Sequence, residues 1–558
     1  MSYPNELTIK IAGEAGQGMN TVGDALCKVL KKAGFYIFSN QDYMSRVRGG
    51  NNYFQIRISD KPLYALRGRS NLVVALDKPS VSIYKDEIEK DGVILPIFEI
   101  AKTTGGEERF VNSAACGVVS AMLGIDFGSI ENVIRQIFAN KDQKIIDSNI
   151  NVLKAGYDYC KNNFKSTKFN LKKGNAGGGY LINGNEAIGL GAISAGCKFY
   201  CAYPMTPSTG ILNLVSHYAK KFNIVVEQAE DEIAAVNMII GASFVGARSM
   251  TGTSGGGFAL MVEGLSLAGM TETPIVIVDA QRPAPATGFP TRTEQADLNF
   301  LIHAGHGEFA RVIYTPGTIE ECFYLTIKAF NIAEKYQIPV LIMTDQHLAD
   351  SNRNIDTLDS KKIKVERHII SKEESRNVSN YKRYKITESG ISPRAIPSWI
   401  DDVFYVDSDE HTEDGHITED AQTRNLMVDK RLYKKMDGLS KEVEKPVSYY
   451  IEKAEIILIG FGSTYGVLKE VCEALSDKKI GFIHLPQVWP FPGKDLELIL
   501  KGAKKIVTVE NNAGAQLAGL LRRETGISAD LSILKYDGRP FDLDYLIGRI
   551  NKEVLTGG

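Results

Sequence analysis

Three hydroxyl side chains, Thr206, Ser208 and Thr209, are crowded into the stretch Tyr203-Pro204-Met205-Thr206-Pro207-Ser208-Thr209. An apolar strand, Phe199 to Tyr203, precedes them, and an amphipathic helix, Ile211 to Ala219, follows. Pro204 and Pro207 hold the connection out of helical geometry. The hydroxyls therefore stand at the carboxyl end of a strand, where open α/β sheets place their ligands. Two further loops follow parallel strands and share that edge: Thr251 to Gly257, with Thr253, Ser254 and Gly255 inside it, and Gln281 to Thr291. Glu232 opens a helix from the same side and is the candidate acid, while Arg282 and Arg292 are the candidate anion receptors. A carboxylate, several hydroxyls and an arginine on a glycine-rich rim suit a small acidic substrate held beside a cofactor. Each residue also has a plainer role: an N-cap or turn hydroxyl for Thr206 and Thr291, a first-turn acid for Glu232, a surface ion pair for Arg282.

A second glycine loop, Gly13-Glu14-Ala15-Gly16-Gln17-Gly18, lies between a strand at Leu7 to Ala12 and a helix at Met19 to Lys32. Such a turn lets backbone amides and a helix amino terminus approach a phosphate. The spacing is not the dinucleotide pattern, and Ser39, Asn40 and Gln41 stand where a ribose-binding acid would follow the second strand, Phe35 to Phe38. A turn chosen for tight packing explains it better than an NAD site.

These loops need scaffolding, and the chain supplies it in blocks. With the strand Tyr53 to Ile58, a first α/β domain covers residues 1–165, and Gly-rich residues 166–180 read as a linker. Residues 181–350 repeat strand, loop and helix. Asn185 is placed to cap a helix ending at Gly196, and Pro274 to Asp279 and Pro339 to Met343 are apolar runs of the kind buried in a parallel sheet. The expected class is α/β, doubly wound in this middle domain. Residues 351–450 lack periodicity and read as a connecting excursion able to cover part of the site. Its acidic stretch Asp407 to His416, with two histidines, reads as a solvated loop ahead of a metal site. Residues 451–558 form a third α/β domain, with strands at Ile456 to Ile459, Gly481 to Leu485 and Lys505 to Glu510.

Composition closes off other classes. A chain of 558 residues exceeds one core. A net charge of -2 offers no footprint for nucleic acid, and no apolar run is long enough to span a bilayer. The seven cysteines are dispersed, without the spacing that grips an iron–sulfur cluster; Cys197 and Cys201, flanking a strand, sit roughly 13 Å apart at strand rise and read as small core residues. No metal site is expected in this chain. With no basic-then-apolar leader at Met1 to Glu6, the expected location is cytoplasmic.

Taken in order, these motifs resemble the 2-oxoacid:ferredoxin oxidoreductases. Gly13 to Gly18 with Arg48-Gly49-Gly50 resembles the family's gamma domain. Tyr203 to Thr209, Glu232, Thr251 to Gly257 and Gln281 to Thr291 resemble the thiamine pyrimidine-binding domain of its alpha subunit. Glu510-Asn511-Asn512 and Lys535 to Pro540 resemble its transketolase-type carboxy-terminal domain. Gamma followed by alpha in one polypeptide is similar to fused alpha subunits, often those acting on 2-oxoglutarate. The resemblance implies oxidative decarboxylation of a 2-oxoacid on thiamine diphosphate, with CoA as co-substrate and ferredoxin as electron acceptor. It implies that Glu232 hydrogen-bonds the aminopyrimidine ring nitrogen and favours the imino tautomer. Arg282 is implied to receive a substrate carboxylate, Thr206 and Thr291 to donate to the substrate, and Pro204, Thr253, Ser254 and Gly255 to border the cofactor. Gly13, Gly16 and Gly18 are implied to hold CoA or to form a subunit interface.

The chain departs from thiamine enzymes in lacking Gly-Asp-Gly, the usual start of the metal-diphosphate site. The resemblance therefore implies a beta subunit carrying the diphosphate anchor, Mg2+ and a [4Fe-4S] cluster, in an alpha-beta heterodimer or its dimer. Two alternatives in function stand beside this. One is a pyruvate or broad-specificity enzyme of the same family. The other is a CoA- or nucleotide-binding protein, either a transferase or a non-catalytic assembly subunit, which leaves Thr206, Glu232 and Arg282 unexplained.

Overall fold

In the computed structural model of the chain, residues 5–46, 49–103, 110–163, 169, 171–176 and 178–556 are described. Arg48, and residues 165–168, 170 and 177 of the expected domain end and linker, lie outside them. The chain forms two compact units, Met1–Asn183 with Asp350–Leu358 and Phe541–Gly558, and Gly184–Ala349 with Asp359–Pro540. Two short segments expected in the excursion and the last domain thus pack with the first unit.

In the first unit a seven-stranded sheet runs in the order Ile88–Pro96, Ser70–Ala75, Glu6–Ala15, Gly49–Ser59, Tyr36–Asp42, Asn352–Ile355, Tyr180–Ile182. The expected opening strand–helix–strand is present, but Gly49–Ser59 inserts antiparallel between its two strands. The described part of the expected linker is packed rather than free: Ala176 is buried, and its N–H donates to Gly34 O. Gly16 and Gly18 both adopt left-handed backbone, φ 94 and 77, as the loop enters the helix Met19–Lys32. A side chain at either position would be strained.

The second unit holds the doubly wound sheet, in the order Gln487–Trp489, Val312–Tyr314, Pro339–Asp345, Ile275–Gln281, Ser249–Thr253, Phe199–Ala202, Val225–Gln228. Every adjacent pair is parallel except the first, where Gln487–Trp489 runs antiparallel. The two apolar runs are buried at every residue, as strands covered on both faces must be. A second sheet has the order Val447–Tyr449, Ile480–Leu485, Ile456–Phe461, Lys505–Glu510, Leu531–Leu534. Glu510 ends its strand fully buried and accepts the Leu517 and Ala518 N–H groups at 2.7 and 3.1 Å, satisfying the first turn of the helix Gln516–Thr525.

The excursion has little regular structure and is held by buried charge. Glu272 accepts ion pairs from Lys430 and from Lys435, the latter at 2.6 Å, and its carbonyl accepts the Arg383 Nη2–H at 2.7 Å. Burial alone would raise the Glu272 pKa; Lys430, Lys435 and Arg383 outweigh it and hold the carboxyl well below its usual range. A second knot joins Arg248, Arg367 and Arg394 to the buried Glu334. The acidic stretch is solvated along much of its length, as at Ser408, Asp409, Asp414 and His416, but it is anchored at two points. His411 is fully buried against the Tyr384 ring, and Glu410 pairs with Arg424 and Arg431. Among the described residues no three His, Cys, Asp or Glu side chains are placed to hold a metal ion. No described helix is long and apolar enough to cross a membrane.

Glu272→Gln should strand two buried ammonium groups and destabilise the second unit by about 3–5 kcal/mol. Thermal melting and protease cleavage within the excursion will report it. Lys441→Ala, which removes an exposed pair with Asp437, should leave both unchanged; equal behaviour of the two variants would refute the pinning role.

Candidate functional site

Glu232 owes its place to the residue before it. Asp231 caps the helix Glu232–Phe244 by accepting the Ala234 N–H at 2.7 Å, which puts Glu232 in the first turn with its side chain turned inward. It is 3% exposed, and its Oε1 is sealed from solvent without a hydrogen-bond partner. The neighbour that admits it is Gly257, in the first turn of the helix Gly255–Met270. A Cβ on Gly257 would fall 2.5 Å from that oxygen and 2.2 Å from Thr253 Oγ1. The glycine is what lets acid and hydroxyl converge.

The Pro204–Thr209 loop comes to the same place. Thr253 Oγ1 lies 3.8 Å from Met205 Sδ, and Arg282, one residue beyond the strand Ile275–Gln281, donates from Nη1 to Thr206 O at 2.7 Å. The Thr206–Pro207 peptide is cis, and the Pro207 carbonyl accepts from Asn185 Nδ2 at 2.9 Å. Asn185 is thus an anchor of the loop inside the helix Gly184–Ser194, not the cap expected from sequence. Ser208 precedes the helix Thr209–Phe222 without a side-chain cap bond and donates instead to Met205 O at 2.8 Å. Arg282 is half-buried; burial lowers its pKa, while Asp297 and Glu232 act to raise it.

Of the expected residues, the structure brings Glu232, Thr253, Thr206 and Arg282 together. Ser254, fully buried with no partner for its Oγ, and Gly255 open the helix beside them, and Pro204 is half-buried at the start of the loop. Thr291 and Arg292 are buried on the third loop, where Phe289 and Arg292 crowd Gly538 of the carboxy-terminal segment. That loop is fastened by Gln295, which accepts the Asn511 N–H at 3.1 Å and donates from its backbone to Asn511 O at 2.7 Å. Gly13, Gly16 and Gly18 belong to the first unit.

Sequence reasoning missed Asp279 and Asp297. Asp279 is fully buried, and neither of its carboxylate oxygens has a partner; Asp297 lies with its carboxylate against Gly255. An acid inside an apolar strand is a signal in the sequence, and it was available at Asp279. Gln295, Asn185 and the buried state of Asn511 and Asn512 carried no local signal.

The orphaned Glu232 oxygen, which Gly257 allows to lie beside Thr253, fits a heterocycle that presents a nitrogen to a carboxyl group, as the aminopyrimidine of thiamine does. Buried polar atoms are seldom left without a partner. Gly257→Ala should favour the helix by up to about 1 kcal/mol through propensity yet push the Glu232 carboxyl away. Unchanged folding by circular dichroism with thiamine diphosphate affinity lost in the assembled protein is the expected result; retained affinity would remove Gly257 from the site.

Known proteins resemble this chain along nearly its whole length. Residues 190–430 match the family described as pyruvate flavodoxin/ferredoxin oxidoreductase, thiamine diphosphate-binding. Residues 8–96 and 93–159 match pyruvate ferredoxin/flavodoxin oxidoreductase, and residues 454–537 match pyruvate:ferredoxin oxidoreductase core domain II. The 2-oxoacid:ferredoxin oxidoreductase subunit alpha of Sulfolobus sp is 34% identical over 98% of this chain and 97% of its own length. The 2-oxoglutarate oxidoreductase subunit KorA of Mycobacterium tuberculosis is 29% identical over 99% of this chain and 92% of its own. Among solved structures, the 2-oxoglutarate:ferredoxin oxidoreductase from Magnetococcus marinus, with 2-oxoglutarate, coenzyme A and succinyl-CoA bound, superposes with a TM-score of 0.91. That match has 29% identity and covers 99% of this chain and 100% of that one.

Proposed function

This chain belongs to the 2-oxoacid:ferredoxin oxidoreductases as an alpha subunit, and from that premise we propose that it supplies the ring-activating and substrate-gripping half of an active site completed by a beta subunit. The observation that carries the reading is the buried, partnerless Glu232 Oε1 beside Thr253, with Arg282 held on the Thr206 carbonyl at the same sheet edge. The enzyme oxidatively decarboxylates a 2-oxoacid, with CoA taking the acyl group. 2-Oxoglutarate is the favoured substrate, consistent with the ligand bound in the Magnetococcus marinus enzyme. The electron pair leaves for ferredoxin.

Thiamine diphosphate, when bound, supplies the nucleophilic carbon that makes loss of CO2 from a 2-oxoacid feasible. Glu232 would hold its aminopyrimidine ring by a hydrogen bond from the sealed carboxyl, with Thr253 and Gly255 bordering the ring. Arg282 keeps one arm on Thr206 O, so its remaining donors are fixed in direction. A planar guanidinium so anchored offers paired charge-assisted hydrogen bonds to a substrate carboxylate. The Thr206 and Thr291 hydroxyls would orient the substrate. Gly13, Gly16 and Gly18 would serve CoA or an interface.

The diphosphate, Mg2+ and a [4Fe-4S] cluster are assigned to the beta subunit, because this chain has no Gly-Asp-Gly and no cysteine outside its buried interior among those described. Exposed apolar side chains on the elements that build the site support such a partner: Tyr203, Ile233, Leu260 and Phe289 are 40%, 51%, 50% and 57% exposed. An alpha-beta heterodimer or its dimer, working in the cytoplasm, follows from the same reading.

The test is co-expression with the beta subunit and a 2-oxoacid panel with CoA and a ferredoxin acceptor. Glu232→Gln should lower kcat about a hundredfold or more. Arg282→Ala should raise KM for the 2-oxoacid about tenfold to a hundredfold. The isolated chain should be inert. Turnover by the chain alone would overturn the division of labour, and normal kinetics in both variants would reduce it to an assembly subunit.

A further inference from the structure

Beneath the Arg282 end of the site lie two acids. Asp279 is on the strand Ile275–Gln281, opposite Thr253 on the neighbouring strand, fully buried and with both carboxylate oxygens unpartnered. Two residues on, and on the same face of the strand, Gln281 accepts the Asp297 N–H through Oε1 at 2.9 Å. That clamp fixes Asp297, 8% exposed, with its carboxylate against the first turn of the glycine-rich helix. A Cβ on Gly255 would lie 2.4 Å from Asp297 Oδ2. Arg282 directly follows Gln281.

The groups acting on Asp297 come from each neighbouring element. Glu294 is on its own loop, Arg282 is at the strand's end, and the first turn of the helix Gly255–Met270 faces its carboxylate, while Asp297 itself acts on Asp279 of the strand. Glu232 acts on Arg282 from the adjacent helix. Burial first, then the charge of Asp297, pushes Asp279 well above the usual carboxylate range. Burial, followed by Glu294, pushes Asp297 up to about 6, with Arg282 pulling it down. Asp279 is thus biased toward its neutral form, and Asp297, held at its backbone by Gln281, is the acid placed beside both Arg282 and the glycine-rich helix.

We propose that Asp297 is a positioning residue that couples uptake of one proton from water to docking of the substrate carboxylate on Arg282. This rests on the reading of Arg282 as the carboxylate receptor. A substrate anion neutralises the guanidinium that keeps Asp297 ionised and adds a second negative charge nearby. Both effects favour the protonated acid. The proton adds to an Asp297 oxygen, and no other bond forms or breaks. By reciprocity, protonation of Asp297 tightens substrate binding by the same factor that substrate binding tightens the proton. The proton on Asp297 therefore offsets part of the substrate's negative charge before CO2 leaves.

The assembled holoenzyme with its beta subunit is titrated calorimetrically with 2-hydroxyglutarate, which carries the carboxylates of 2-oxoglutarate but no oxo carbon to attack. Two buffers of different ionisation enthalpy report the protons taken up. The wild type should take up a fraction of a proton per ligand. Its Kd, and its KM for 2-oxoglutarate, should weaken about tenfold between about pH 5.5 and about pH 8, the factor that one unit of linkage carries. Asp297→Asn should abolish the uptake and hold Kd and KM at the tighter value across that range. Glu294→Gln, which removes the charge that raises Asp297, should move the uptake to lower pH and serves if the first variant does not fold. Proton uptake unchanged in a folded variant, or a flat wild-type KM profile, overturns the proposal. Unaltered affinity in Arg282→Ala is a separate outcome; it would overturn the role given to Arg282.

Discussion

The middle of the structure is organised around one costly placement: a carboxyl oxygen of Glu232 that is sealed from water and left without a hydrogen-bond donor. Such a group costs about 1–3 kcal/mol, and a fold retains it only where something outside the chain satisfies it. Several local features serve that placement. Asp231 takes the capping duty that would otherwise fall to Glu232, so the helix begins where the acid points inward. Gly257 removes the Cβ that would occupy the same space. Thr253, at the end of a strand buried at every residue, brings a hydroxyl beside the acid without adding charge. Strain of this kind, collected in one place and supported by well-satisfied neighbours, is the usual mark of a binding site.

Rigidity around that point comes from polar contacts that leave few loose ends. Gln295 alone joins the third loop to the Phe461 carbonyl through Nε2 at 2.9 Å and to Asn511 through side chain and backbone. Asn512 donates to Gln295 O at 3.1 Å and to the same Glu510 carboxylate that caps the following helix. Removing one member of such a network exposes the desolvation cost of the others. The carboxy-terminal sheet thus contributes to the site by fixing the loop that carries Thr291 and Arg292.

Much of this was legible in the chain, for physical reasons that also set the limit. The strand Lys505–Glu510 and the helix Met19–Lys32 lie where their periodicity places them, because a local repeat and a glycine stop are sufficient signals. The α/β class and the convergence of Glu232, Thr206 and Arg282 also follow, since parallel strands gather their trailing loops on one edge. Long-range pairing was not legible: nothing local tells Gly49–Ser59 to insert between its neighbours, or Gln487–Trp489 to join the other sheet. The excursion was misread at His411 for a related reason. Acidic composition suggests solvent, and much of the stretch is exposed, whereas Glu410 beside His411 is paired with cations outside it, Arg424 and Arg431. Asn185 was misread because the same amide that caps helices can instead hold a carbonyl, here that of Pro207.

The choice of arginine at position 282 follows from the acids that surround it. A lysine buried to this degree beside Asp297 and Glu232 would lose much of its charge to desolvation or spend its donors on the nearest carboxylate. Guanidinium stays charged even as burial lowers its pKa, and its planar fork can hold a carbonyl with one arm while the rest stays aimed. With Thr206 O taking one arm, the acids act on Arg282 through the field and not through contact, which leaves its remaining donors for an incoming carboxylate. Burial biases Asp279 toward its neutral form, so it adds little to the negative charge that Asp297 and Glu232 already place on Arg282. The electrostatics of the pocket are therefore set for an anion before one arrives, and they are set by residues of this chain.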